Sequence, residues 1–334
     1  MRIPYETMLN EFKRILMDRG IEEKTAFEAA ENFAQTSLDG VYSHGINRFL
    51  RVVDYIDRGI VDANATPTVE KTSGFMERWN GNQALGNTNA QKAMNRAIEL
   101  AKNNGMGLVA IKNTNHWMRG GAYGWQAADE GCIGICFTNT MPNMPAFGAR
   151  DRKIGNNPFI IAIPRTGGAH VVIDMALSQF SYGKIEEYKL KNEPLPVPGG
   201  YDTKGEMTTD AAEIEKSWRV LPVGFWKGSG LSIVLDMMAA ILSGGNTVGD
   251  IGESLREETG LSQVMIAIDP TKLSSREEVD NVVDRVITQL KSSEPAEVGG
   301  KILYPGESSL AKRKENQEKG IPVVEDIWNA ITQL

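Results

Sequence analysis

Apolar residues recur at helical spacing at both ends of the chain and in short unbroken runs through its middle. Leu9, Phe12, Ile15 and Leu16, then Ala26, Ala29, Ala30 and Phe33, fall three or four apart on either side of Arg19-Gly20. That spacing predicts two amphipathic helices, each with one face turned to a core. A third helix is predicted over 48–57, with Phe49, Val52, Val53 and Ile56 on one face and Gly59 beyond its end. Between the second and third lies Asp39-Gly40-Val41-Tyr42-Ser43-His44-Gly45, a turn bracketed by glycines.

Past Pro67 the period changes. Residues 91–104 fit a helix stopped at Asn104-Gly105, and 107–111, 131–139, 159–163, 170–175 and 261–268 read as short, strongly apolar strands. Few long helices separate these strands, which favours an α+β sheet over a βαβ repeat. Residues 192–212, with Pro194, Pro196, Pro198, Gly199-Gly200 and Gly205, read as a long surface excursion, either a lid or a dimer arm. The Met- and Leu-rich run 227–242 is apolar on all sides, which predicts a buried helix. Residues 310–319 and 324–331 return to helix.

Composition narrows the function classes. Thirty-six Lys and Arg stand against 43 Asp and Glu, a net charge of -7, and no basic cluster exceeds Lys312-Arg313-Lys314. Nucleic acid is therefore not an expected partner. No run approaches the ~20 apolar residues of a membrane helix, and the charged first twenty residues do not read as a signal peptide, so a cytoplasmic protein is expected. Cys132 and Cys136 would share one face of a strand as two reduced, buried thiols.

Several chemistries are excluded by what is missing. Gly228-Ser229-Gly230-Leu231-Ser232-Ile233 has isoleucine where a dinucleotide fingerprint needs its third glycine, and no P-loop or nucleophile-elbow string occurs. Three histidines, none spaced as H-x-x-x-H, predict no metal site.

The remaining chemistry gathers around those histidines. Tyr42-Ser43-His44-Gly45 with Asn47 and Arg48 combines a titratable ring, a hydroxyl and a guanidinium. Read conservatively it is a capped helix start with a surface histidine. Arg48, about one turn from His44, favours a site: a guanidinium can grip a substrate carboxylate while imidazolium serves the neighbouring carbonyl. Asn115-His116-Trp117-Met118-Arg119-Gly120-Gly121 follows a strand end, where ligand contacts are common, and fits a satisfied turn histidine equally well. Gly155-Asn156-Asn157-Pro158 reads by itself as turn chemistry.

Taken together, these segments resemble the malate/L-lactate dehydrogenase family that is unrelated to the Rossmann lactate dehydrogenases. The likeness runs through Gly40 to Phe49, Arg96 to Ala101, Asn115 to Gly121, Tyr123 to Ala128, Phe180 to Gly183, Trp226 to Gly230 and Ser232 to Met237. Within the family, His116-Trp117-Met118-Arg119 points to reductases of diketo sugar acids; malate and lactate members more often have Phe-Gly after that histidine. The resemblance implies an α/β (α+β) fold with a non-Rossmann NAD(P)-binding domain on a largely antiparallel sheet. It implies a helical substrate and dimer region from 1–65 plus 305–334, a cofactor domain over 66–304, and a homodimer.

The resemblance also implies roles. His44 becomes the proton donor, Arg48 the carboxylate ligand, and His116 a third catalytic group. Apart from the resemblance, the polar side chains flanking both histidines, Tyr42, Asn47, Asn115 and Arg119, are expected to recognise the hydroxyls of a small 2-oxo sugar acid, with Asn157 as a further substrate residue. The cofactor, NADH with NADPH left open, falls on His170, Val171, Val172, Ile173, Asp174, Met175 and Ala176, on Trp226 and Lys227, and on Gly306, Glu307 and Ser308. Two departures stand out: Asn156 replaces the family's usual threonine, and the hairpin from Pro164 to Val171 is longer than in the nearest members, which puts the cofactor preference in doubt. The alternatives are a malate, lactate, ureidoglycolate or cyclic-imine reductase, or a non-catalytic binding protein on the same fold.

Overall fold

The structure, a computed structural model, describes residues 1–253 and 257–334. The first two amphipathic runs form helices Tyr5–Met17 and Glu23–Leu38, separated where Gly20 takes a left-handed φ of +76°. Phe12 stacks on Phe49 of helix Ile46–Asp57 with centroids 4.1 Å apart, and Phe33 meets both rings edge-on. The chain's other end joins this core. Helix Glu325–Thr332 contributes Trp328 and Ile331, and Arg2–Ile3 pairs antiparallel with Ile321–Pro322.

Seven strands form the main sheet, in the order Thr68–Ser73, Met76–Asn80, Met106–Asn115, Thr259–Ile268, Ile133–Thr138, Phe159–Ile163, Val171–Met175. Every neighbouring pair is antiparallel except Met76–Asn80 with Met106–Asn115. This is the largely antiparallel α+β sheet expected, and it explains why no glycine fingerprint follows a first strand. Its residues alternate between two cores. Val109, Ile111, Met265 and the free thiol of Cys136 pack under helices Gly86–Asn104 and Gly121–Asp129, while Ala110, Val264 and Phe137 face helix Trp226–Ser243.

Three elements differ from expectation. Helix Trp226–Ser243 turns Ser232, Leu235 and Ala239 inward but leaves Val234, Met237 and Ile241 exposed on its outer side, because it covers only one face of the sheet. Residues 192–212 are not a bare excursion. They belong to a small unit with helices Tyr182–Lys191 and Ala211–Ser217, packed on Ile185, Leu195, Ile214 and Val220. Helix Arg276–Lys291 escapes the apolar pattern, since only Val283 is buried, although a Ser275/Glu278 capping box announces it.

The helical region, the sheet and the C-terminal segment meet at one carboxylate. Asp39, at the end of helix Glu23–Leu38, is almost fully buried and accepts from Arg119 and from Arg313, the latter in a fork at 2.7 and 2.9 Å. Arg313 belongs to helix Glu307–Lys319 and lies over the Trp125 ring at 5.1 Å. Removing the acid leaves two arginines facing each other without compensation. Asp39→Ala is therefore expected to lower stability by about 3–5 kcal/mol, whereas Lys216→Ala in the exposed Lys216–Glu213 pair leaves it nearly unchanged. Parallel thermal melts of the two variants check this, and equal melting temperatures would remove Asp39 from its role.

Candidate active site

His44 is placed by close packing of backbone. Tyr42–His44 form a single 3-10 turn ending at Gly45, whose missing side chain is required: a Cβ there would lie 2.2 Å from Ser37 Oγ. Ser37 Oγ accepts from the Ile46 amide at 2.8 Å, which fixes the start of helix Ile46–Asp57 against helix Glu23–Leu38. His44 and Arg48 therefore stand one turn apart and line the same cleft, which has a volume of about 860 Å³.

The opposite wall comes from the loop after strand Met106–Asn115. His116 presents its ring to His44 with centroids 5.8 Å apart and planes inclined by 27°. The Met118 amide donates to His116 Nδ1 at 2.9 Å, so the neutral ring carries its proton on Nε2. Ser43 Oγ lies 3.0 Å from His44 Nδ1, which leaves His44 Nε2 as the nitrogen available to a ligand.

Burial and neighbouring charge set the resting state of both rings. Burial, then Arg48 and Arg119, push His44 down to about 4. Burial, then Arg48, His44 and Arg51, hold His116 well below its ordinary range. Both imidazoles are thus neutral at neutral pH in the free protein. Arg48 has its Nε buried without a hydrogen-bond partner, a donor on a charged group that a bound carboxylate would satisfy.

The remaining sequence-derived residues divide clearly. Asn47 and Arg119 line the cleft, although Arg119 is tied to Asp39 and reaches Asp174 only at 3.8 Å. Asn115 does not line it, because its amide nitrogen donates to the carbonyls of Gln83 and Ala84. Asn157 is buried elsewhere, accepting from the Thr140 amide at 3.1 Å and donating to Ser232. Its neighbour Asn156 is the residue that faces the cleft. Tyr42 donates no wall either; its hydroxyl accepts from Asn316.

Of the cofactor candidates, Val172, Ile173, Asp174, Ala176, Gly306 and Ser308 line the cleft. Val171 and Met175 are outside its lining. His170 is held by Asp129 at 2.9 Å and by the Arg165 amide, and Glu307 is engaged by Lys291 and the Tyr304 amide. Trp226 and Lys227 stand on the exposed end of their helix. The sequence reading also passed over Arg51 and Glu258. Arg51 was detectable as the next residue on the Arg48 face of the helix, whereas nothing local marks Glu258.

This wall fits a nicotinamide dinucleotide. Gly306, at φ +97°, caps helix Glu307–Lys319 without a side chain, and a Cβ there would lie 3.2 Å from the Val172 amide nitrogen. The first amides of that helix, with the Ser308 and Ser309 hydroxyls lining the cleft, suit an anionic diphosphate.

Comparison with known proteins agrees with the geometry. The malate/L-lactate dehydrogenase family model matches residues 3–332. The chain is 44% identical to the 2,3-diketo-L-gulonate reductase of Pasteurella multocida, over 100% of both proteins. Among solved structures, the sulfolactate dehydrogenase of Methanocaldococcus jannaschii superposes with a TM-score of 0.91 at 31% identity, covering 99% of this chain and 95% of that one. The malate dehydrogenase of Entamoeba histolytica gives 0.94 at 25% identity, covering 100% and 96%.

The division between cleft and scaffold can be checked at the paired asparagines. Asn157→Ala strands the Thr140 amide and is expected to cost about 1–3 kcal/mol of stability, with the KM of the folded enzyme unchanged. A raised KM without a change in melting temperature would return Asn157 to the substrate.

Proposed function

The chain belongs to the malate/L-lactate dehydrogenase family, and we propose that it reduces a 2,3-diketo sugar acid, 2,3-diketo-L-gulonate or a near analogue, to the 2-hydroxy acid. The observation that carries the reading is the facing pair His44 and His116 beside Arg48, whose buried Nε has no hydrogen-bond partner. The nicotinamide cofactor supplies the hydride to C2.

Arg48 grips the carboxylate and so orients the adjacent carbonyl. His44 Nε2 gives its proton to the carbonyl oxygen as charge develops there, and the product leaves as an alcohol with neutral His44 behind it. His116, with its proton on Nε2, offers a second donor to the same oxygen. The carboxylate does more than hold the substrate. In the free protein burial, then the Arg48 field, disfavours imidazolium; an anion on Arg48 offsets the second of these and raises the His44 pKa from about 4. Protonation of the acid thus accompanies substrate binding.

NADH is the proposed carrier, with NADPH the alternative. A homodimer is proposed as well, supported by the exposed Val234, Met237 and Ile241 of helix Trp226–Ser243. Such a partner could also bring Trp226 and Lys227 to a cofactor. Among the described residues no helix is long and apolar enough to cross a membrane, and the free buried thiols of Cys132 and Cys136 suit the reducing cytoplasm.

Rates of NADH oxidation across a panel of 2-oxo acids test the substrate. Turnover of 2,3-diketogulonate is expected to exceed that of pyruvate and oxaloacetate, and equal rates would refute the sugar-acid assignment. His44→Ala should lower kcat by roughly a hundred- to ten-thousand-fold while NADH binding, followed by fluorescence, is retained.

A further inference from the structure

The cleft carries an acid that the reduction does not use. Glu258, directly before strand Thr259–Ile268, lines the wall beside Arg48, Arg51 and His116. The same four residues also line a small inner cavity of about 30 Å³, so Glu258 lies between the cleft and the interior and not in open solvent. The Met141 amide donates to its Oε1 at 3.3 Å. Burial is the largest influence and raises its pKa, while Arg48, the Met141 amide and Arg51 favour the carboxylate. The relation is mutual: Glu258 is the first charge that supports the guanidinium of Arg48 against burial.

The charges around it can be set against one another. Helix Ile46–Asp57 contributes Arg48 and Arg51, with Tyr55 on the inner cavity; the 3-10 turn contributes His44, and the loop after Met106–Asn115 contributes His116 and Arg119. Strand Val171–Met175 adds Asp174, and the small unit at the lip adds Glu186 and Glu215. Both histidines are neutral at rest, and Arg119, which shares Asp39 with Arg313, has Asp174 3.8 Å from its Nε as a second acid. Arg48 and Arg51 are then the cations left for anions, and Glu258 offsets one of them. A single substrate carboxylate completes the balance. With Asp174 beside Arg119 and Glu215 paired with Lys189, a second acidic group would find no uncommitted cation among the described lining residues and would meet Glu186 at the lip.

We propose that Glu258 sets substrate specificity: as the resident counter-ion of Arg48 and Arg51 it admits 2-oxo acids with one carboxylate and a neutral tail, and disfavours those with two acidic groups. This rests on the reductase reading above and defines its substrate class. Glu258 acts through the arginines and takes no part in proton transfer.

Glycerate and tartronate are matched probes, since tartronate carries a carboxylate where glycerate has CH2OH. Their Kd values for the protein–NADH complex, measured by calorimetry at neutral pH, read the preference without turnover. The wild type is expected to bind glycerate more tightly. Glu258→Gln should tighten tartronate by roughly tenfold, the scale of one unit charge about 12 Å away at an effective dielectric near 20, and change glycerate far less. Glu258→Asp should keep the wild-type ratio, and Arg51→Gln, which removes the shared cation, should widen the preference for glycerate and so serves if Glu258→Gln does not fold. An unchanged ratio in the folded variants, equal weakening of both ligands, or a wild type that prefers tartronate overturns the proposal. A wild type that binds neither NADH nor glycerate defeats the reductase reading itself.

Discussion

The double acceptance of Arg119 and Arg313 by the buried Asp39 joins three parts of the chain that the site needs together. Asp39 ends the helix against which the His44 turn packs. Arg119 belongs to the loop that carries His116, and Arg313 to the helix whose glycine-capped start faces the cofactor wall. Buried ions are costly to desolvate, so two guanidinium groups stay in the interior only while the acid holds both. That requirement fixes the position of the opposing walls of the cleft.

The same placement of arginines sets the chemistry. Burial, then Arg48 and Arg119, disfavour imidazolium at His44, and burial, then Arg48, His44 and Arg51, disfavour it at His116, so both rings are neutral in the free protein. The family's reduction needs a proton at the moment the carbonyl oxygen becomes an alkoxide. In the proposed mechanism the site becomes acidic only when loaded and supplies it then, since in the empty protein burial and two arginines disfavour imidazolium at His44. Glu258 moderates the same field from behind, which links the choice of substrate to the electrostatics of the acid.

Much of this was legible in the residues. Helical spacing of Phe12, Phe33 and Phe49 marks the N-terminal core because one helix face is buried and the period survives, and the apolar runs around Val109, Cys136 and Val264 mark the sheet because its central strands are covered on both faces. Thr68–Ser73 left no trace, since all its residues are exposed. Helix Trp226–Ser243 reads as buried from its composition, but apolarity alone cannot distinguish a face packed in a core from one left exposed. In the site, His44, Arg48 and Asn47 lie within five residues and their coming together is local. Asn115 and Asn157 have the right chemistry but spend it on backbone and scaffold, and that assignment depends on the fold. Glu258 reaches the site across more than two hundred residues of sequence, and no spacing rule could have placed it.

The central claim is that substrate binding protonates His44 by occupying Arg48. Calorimetric titration of oxamate, a non-reducible 2-oxo acid analogue, into the protein–NADH complex tests it when repeated near pH 7 in buffers of different ionisation enthalpy. The account predicts net proton uptake in the wild type and its loss in His44→Gln, with oxamate still bound. Binding without proton uptake in the wild type, or uptake that persists in His44→Gln, would contradict it.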